Sequence, residues 1–298
     1  MHKKIIEISK GLKSNFFFDY DIYKSTWFQA GGRCDFFCIV ENIDELKKII
    51  KNIENIPYFI IGAGSNLLIR DGGYKGLIIK LGNYFNKMHL KDNEIIAGAG
   101  ILDVNLSKFA YINSIKNFEF YSGIPGNLGG AVKMNAGCFG NETKNILNSI
   151  TVVDRYGEEK LITNKLLDFS YRSSNLEDEI IVNSSFKAEI DNQKEIKNKM
   201  NEIKQKRKLT QPIKNKTSGS TFKNPNNCFA AELIEKSDCK GLYVGDAYVS
   251  DKHSNFLINK NKATAKQIED LGKLIIEKVH KKFGILLEWE IKIIGEYS

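Results

Sequence analysis

The sequence predicts an α+β protein with mixed sheets, and three observations carry that prediction. Stretches whose apolar residues recur at helical spacing are interspersed with short apolar runs of strand length. Tyr156-Gly157 separates two β-rich segments and signals a hairpin. The 298 residues show no internal repeat and no low-complexity linker, and 42% hydrophobic with 27% charged residues suits a packed globular chain.

The elements follow in order. Leu46, Ile49, Ile50 and Ile53 share one face of a helix over Asp44–Ile53, with Asn42 as a capping residue. Tyr58–Ile61 reads as a buried strand running directly into Gly62. Leu67–Ile69 and Leu77–Leu81 read as strands separated by a turn at Asp71-Gly72-Gly73, and Glu94–Ala97 as another. Leu102, Leu106, Phe109 and Ala110 mark a helix face. Ser149–Asp154 and Glu159–Ile162 flank the hairpin turn, and Ile180–Phe186 is a further strand. Glu195–Lys208 is a polar helix with Ile196, Met200 and Ile203 on one side, placed as the link between an N-terminal and a C-terminal domain. A helix at Phe229–Glu235 and a strand at Asn255–Ile258 come next. A long helix follows at Ala263–Phe283, capped by Thr264, with Ile268, Leu271, Leu274, Ile275 and Val279 as its core stripe. The mixed apolar and charged stretch Leu286–Ile294 reads as a closing strand.

The net charge of +8 attracts anions, phosphates included. The basic residues are spread along the chain, and Lys194–Lys208 is interrupted by Glu195 and Glu202. Diffuse helix-face charge is therefore favoured over a nucleic-acid patch. Five scattered cysteines (Cys34, Cys38, Cys138, Cys228, Cys239) contain no CxxC pair, so reduced thiols are expected, not a disulfide framework or a zinc site. No His/Asp/Glu cluster has metal-ligand spacing. The N-terminus meets acid at Glu7, and no run of ~18 apolar residues occurs. These features lead to the expectation of a cytoplasmic chain with neither membrane nor nucleic-acid partners.

The chemistry lies in three glycine-bearing segments: Ile61-Gly62-Ala63-Gly64-Ser65-Asn66, Gly123-Ile124-Pro125-Gly126-Asn127-Leu128-Gly129-Gly130, and Met134-Asn135-Ala136-Gly137. Such turns let backbone N–H groups approach anionic oxygens. Two of them, far apart in sequence, suit one large ligand with two charged groups, such as a dinucleotide pyrophosphate. Neither loop ends in the Lys-Ser/Thr pair of a Walker loop. Gly62-x-Gly64 lacks the third glycine of a Rossmann fingerprint, and Leu67-Leu68-Ile69 after it reads as strand.

Taken together, the segments resemble the FAD-binding region of the flavoprotein superfamily that includes vanillyl-alcohol oxidase. In detail they are similar to the UDP-N-acetylenolpyruvoylglucosamine reductases of bacterial cell-wall synthesis. Further segments agree in the family's order: Ser170-Tyr171-Arg172-Ser173-Ser174, Gly219-Ser220-Thr221-Phe222-Lys223-Asn224-Pro225, Val249–Phe256 and Leu287–Gly295. The resemblance covers nearly the whole chain. Trp27-Phe28-Gln29-Ala30-Gly31-Gly32 departs from the family's usual approach to Gly-Gly. The stretch between Arg172 and Ser220 leaves no room for the family's tyrosine-loop insertion, so the chain resembles the short form.

The resemblance implies a two-part FAD-binding region at 1–191 (about 1–80 and 81–191) and an α+β substrate-binding domain at 192–298. It implies non-covalent FAD held by Gly62, Ala63, Gly64, Ser65, Asn66, Gly123, Pro125, Gly126, Gly129, Gly130, Asn135, Ala136 and Gly137. NADPH is the implied reductant, and the enolpyruvyl ether of UDP-N-acetylglucosamine the implied substrate. Hydride would come from reduced flavin N5, and Tyr171, Lys223 and Asn224 would contact substrate. Arg172, Ser220 and Glu290 take the implied catalytic roles. A guanidinium such as Arg172 can grip a carboxylate with two parallel bonds, although read alone it is equally a surface ion pair beside a strand. Ser220 would give a proton to the α-carbon and needs activation by neighbours such as Lys223; read alone it is a turn serine. Glu290, two positions from Glu288 on one face of the expected strand, would be protonated or share a proton; read alone it is an outward charge.

Overall fold

The computed structural model describes residues Met1–Ser298 and resolves into two compact units, each assembled from separate stretches of chain. The first contains Met1–Phe18, Phe36–Ala63 and Gly76–Gln205, and the second Asp19–Asp35, Gly64–Lys75 and Lys206–Ser298. One division falls inside the first glycine loop, between Ala63 and Gly64.

Helices are numbered along the chain: α1 (His2–Ser9), α2 (Ile43–Asn52), α3 (Asp103–Ile112), α4 (Leu128–Lys133), α5 (Gln193–Thr210), α6 (Ala230–Lys236) and α7 (Ala265–Phe283). A four-stranded sheet, most of whose residues belong to the first unit, has the order Asn15–Tyr20, Cys34–Val40, Tyr74–Leu81, Tyr58–Ile61. Its last two strands are parallel, with Tyr58 opposite Leu77 and Ile61 opposite Lys80. Ile5 and Ile8 of α1 and Leu46, Ile49 and Ile50 of α2 bury their side chains with Phe36, Cys38, Val40, Leu77 and Ile79 of this sheet. Asn42 caps α2 by accepting from Glu45 N, as its position before the apolar stripe anticipates. The other sheet of this unit is antiparallel throughout, in the order Glu159–Thr163, Leu147–Val153, Ile180–Lys187, Glu94–Gly98, Met88–Lys91. Its core joins Ile95, Ala97, Ile150, Val152 and Phe186 to Leu106 and Ala110 of α3 and Leu128, Ala131 and Val132 of α4.

The second unit packs α6 and α7 around a small antiparallel sheet of Tyr243–Val244, Ala247–Val249 and Leu257–Asn259. A separate parallel pair joins Leu67–Ile69 to Lys292–Ile294. Phe28, Leu68, Phe222, Ile268, Leu271, Ile275 and Ile291 share its core. Thr264 and Gln267 form a reciprocal capping box at the start of α7, and Gly284 ends the helix in the left-handed conformation. No helix of the chain is long and apolar enough to cross a membrane.

The mixed α+β class is observed, and most elements lie within two residues of their expected ends. One expectation needs correction: Leu286–Ile294 is not a continuous strand, because only Lys292–Ile294 has strand geometry. Glu290 N and Ile291 N both point at one acceptor, the carbonyl of Thr221, and Trp289 makes only an isolated bridge with Phe222. Two donors converging on one oxygen cannot propagate a ladder. The argument that placed Glu288 and Glu290 on one face of a strand therefore lapses.

Candidate active site

The first unit brings the Gly62 loop and the Gly123–Gly130 segment together. A Cβ on Gly62 would lie 3.0 Å from Asn127 Oδ1 and 3.2 Å from its Cβ, so glycine lets the two segments come this close without displacing that side chain. The second segment is stitched along residues 99–103: Asp103 N donates to Gly126 O, Leu128 N to Ile101 O and Gly129 N to Ala99 O. The Asn127 amide reinforces this by donating to Gly100 O. A Cβ on Gly129 would sit 3.0 Å from that of Ala99, whereas one on Gly130 would meet nothing within 4 Å. Behind the segment, burial holds the Asp103 carboxyl well above the usual carboxylate range and pushes the Tyr121 phenol up as well. The Ser122 hydroxyl, immediately before Gly123, is buried with no hydrogen-bond partner. Close-packed glycine backbone, one glycine open on its α-carbon and an orphaned buried hydroxyl together fit a bulky ligand with hydrogen-bonding oxygens, as FAD is.

The third glycine segment is organised by Asn135. It is fully buried with φ +45°. Its Oδ1 accepts from Lys144 N (3.0 Å), while Nδ2 donates to Glu142 Oε2 (2.9 Å) and Ser170 O (3.1 Å). These bonds tie Met134–Gly137 to the hairpin that carries Tyr171 and Arg172. Ser170 pairs with Ser173, so Tyr171-Arg172 is a two-residue hairpin tip, and Arg172 takes φ +57° there. Arg172 Nη2 donates to Gly137 O at 2.7 Å, and its guanidinium lies 4.9 Å from the Tyr171 ring centre. The arginine is thus held by the glycine segment itself.

In the second unit, the end of the first glycine loop meets the segments bearing Ser220 and Glu290. Asn66 Nδ2 donates to Glu290 O (3.1 Å), and Lys292 N donates to Asn66 O (2.9 Å). Glu290 N donates to Thr221 O (2.8 Å), one residue beyond Ser220. Gly64 has φ +66° and packs so closely on Ser25 and Thr26 that a Cβ would lie 2.8 Å from Thr26 Cα. Trp27 N donates to Gly64 O (3.0 Å), so the divergent Trp27–Gly32 stretch is tied to this loop. Lys223 Nζ pairs with Glu288 Oε2 (3.3 Å), and Asn224 Oδ1 accepts from Ala230 N at the start of α6 (3.0 Å). Arg172 belongs to the first unit, and Ser220, Lys223, Asn224 and Glu290 to the second.

Sequence reasoning missed Asn127, the Gly98–Gly100 run and Ser122. The first two carry a faint signal, Ala97-Gly98-Ala99-Gly100, a small-residue run of the kind that close backbone packing needs. Ser122 has none, because nothing in the neighbouring letters marks a hydroxyl that folding will bury.

The fold and these loops define a class: a flavin-binding oxidoreductase, whose residues 34–162 match the FAD-binding domain family. Residues 211–294 match the family described as UDP-N-acetylenolpyruvoylglucosamine reductase, C-terminal domain. The chain is 43% identical over 288 residues to the UDP-N-acetylenolpyruvoylglucosamine reductase of Rickettsia typhi, covering 96% of this chain and 98% of that one. It is 44% identical over 281 residues to that of Rickettsia akari, covering 94% and 95%. The crystal structure of UDP-N-acetylenolpyruvylglucosamine reductase from Thermus caldophilus superposes with a TM-score of 0.82 at 32% identity, over 95% of this chain and 99% of that one. The chain belongs to the UDP-N-acetylenolpyruvoylglucosamine reductase family.

Proposed function

We propose that this chain reduces the enolpyruvyl ether of UDP-N-acetylglucosamine to UDP-N-acetylmuramate with NADPH, as a cytoplasmic step of peptidoglycan precursor synthesis. In this reading residues 1–191 form the FAD-binding region and 192–298 the substrate-binding domain. Gly62–Asn66, Gly123, Pro125, Gly126, Gly129, Gly130 and Asn135–Gly137 hold the cofactor. When bound, FAD supplies hydride transfer between NADPH and the vinyl carbon.

Each residue then has one task. Arg172 binds the substrate carboxylate and stabilises the negative charge that develops next to it. Ser220 delivers the proton to the α-carbon. Glu290, in protonated form, hydrogen-bonds the same developing charge without repelling it. Tyr171, Lys223 and Asn224 hold the sugar diphosphate, Lys223 exchanging its Glu288 partner for a phosphate oxygen. The observation that supports the reading most is the bonded chain Asn66–Glu290–Thr221, which joins a cofactor loop to the segments of the two proposed proton-handling residues.

The test is Ser220→Ala. Bleaching of the flavin by NADPH should continue at the parent rate, while reoxidation by the enolpyruvyl substrate should fall by about 10²- to 10⁴-fold, the usual contribution of general acid catalysis. Equal loss of both half-reactions would refute the role.

A further inference from the structure

Ser220 lies on a short irregular segment, Gly219–Phe222, outside every helix and strand. Something else must hold it to the sub-ångström tolerance that proton transfer needs. Asn255 engages three polar groups of this backbone. Its carbonyl accepts from Thr221 N (2.8 Å), its Oδ1 accepts from Phe222 N (2.9 Å) and its Nδ2 donates to Phe222 O (2.8 Å). From another direction, Glu290 N donates to Thr221 O. The Thr221 hydroxyl accepts from Leu257 N (3.2 Å), so residues 255–257 grip residues 221–222 at four points.

Asn255 is itself fixed. It is 3% exposed, and its N–H donates to His253 Nδ1 (3.3 Å). The turn that presents it is closed by Ser250 N to Phe256 O and by the Ser250 hydroxyl accepting from Lys252 N and His253 N. Only an amide of this length supplies both an acceptor and a donor at Phe222. Aspartate lacks the donor, and alanine lacks both.

We propose that Asn255 is a positioning residue for proton delivery: by clamping Thr221 and Phe222 it fixes the adjoining Ser220 and, through the Thr221 carbonyl, the backbone of Glu290. The inference rests on the roles given above to Ser220 and Glu290. Substrate binding, which draws on many other contacts, depends far less on Asn255.

The experiment measures both half-reactions, substrate dissociation constant, FAD content and melting temperature for Asn255→Ala, Asn255→Asp, Ser220→Ala and the double variant Ser220→Ala/Asn255→Ala. Asn255→Ala should slow substrate-driven reoxidation about 10- to 100-fold, the cost of roughly an ångström of misplacement. Substrate dissociation constant and NADPH-driven bleaching should stay within about 3-fold, because the lost interaction acts only in the transition state. Asn255→Asp, which keeps the acceptor, should fall between parent and alanine, and it decides the matter if the alanine variant does not fold. The double variant should be slower than Ser220→Ala by a clearly smaller factor than Asn255→Ala is slower than the parent, because Asn255 acts mainly through that serine and only in part through Glu290. Reoxidation within 3-fold of the parent, equal loss in both half-reactions, or fully multiplicative effects in the double variant would overturn the proposal. If Ser220→Ala itself reoxidises normally, the assignment of Ser220 fails. If Ser220→Ala collapses and Asn255→Ala does not, only the positioning role fails.

Discussion

Asn135 shows what one side chain does in this protein. It occupies a left-handed backbone position that asparagine tolerates better than most residues, and it bridges Glu142, Lys144 and Ser170 from a fully buried site. Asn135→Ala should cost roughly 2–4 kcal/mol of stability, from unsatisfied buried partners plus backbone strain. It should also lower FAD occupancy of the purified protein. Asn135→Gly relieves the strain but not the lost bonds, so urea unfolding of the two variants apportions the effect. The glycine loops themselves were legible in the sequence, because a glycine motif is local. The contacts that brace them were not. Asn135 reaches Ser170 and Asn255 reaches Phe222 by hydrogen bonds across distant stretches, and nothing in the neighbouring letters announces the partner.

At the scale of elements, legibility followed periodicity. The stripe and cap of α7 predict its course, and the structure adds a second device that the sequence conceals. The Asp71 carboxylate accepts from Ala265 N (2.9 Å) and Lys266 N (2.8 Å), placing a negative group at the positive end of a 19-residue helix. Asp71→Ala should lower stability by about 1–2 kcal/mol and Thr264→Ala by about 1 kcal/mol. Differential scanning calorimetry would read each as a melting-temperature drop of a few degrees. The helix α4 was hidden for the opposite reason. Two glycines in Leu128–Lys133 argue against a helix by propensity, yet a Cβ at position 129 would press within 3.0 Å of that of Ala99, so close packing favours glycine there. Several strands also went unseen, Asn15–Tyr20 and Cys34–Val40 among them. Asn15–Tyr20 is largely exposed and lacks alternation, and Cys34–Val40 carries an acid within an otherwise buried run.

Across the second unit as a whole, one buried carboxylate ties three separated stretches together. Glu269 on α7 accepts from Arg70 Nε (2.9 Å), from Lys273 Nζ (3.0 Å) and from the Tyr297 hydroxyl (2.9 Å). The Arg70 guanidinium also lies 4.1 Å from the Tyr297 ring centre. Burial alone would raise the Glu269 carboxyl, but the bonds from Arg70, Lys273 and Tyr297 outweigh it and carry it down to about 2. The folded state therefore releases this proton more readily than the unfolded chain. Its stabilisation is complete above the ordinary glutamate range, near 4.5, and is lost as pH falls towards 2. Glu269→Gln should melt several degrees lower at pH 7, and its deficit against the parent should shrink steadily between pH 4.5 and pH 2. A deficit that stays constant across that interval would contradict the linkage.

The parallel pairing of Leu67–Ile69 with Lys292–Ile294 also sets a timetable for biosynthesis. On the ribosome the earlier triplet emerges long before its neighbour has been translated. At roughly 5–20 residues per second, Leu67-Leu68-Ile69 waits on the order of 10–45 s with its edge unsatisfied. The late-made segment therefore closes the unit, and the earlier strand keeps an unpaired edge throughout most of elongation.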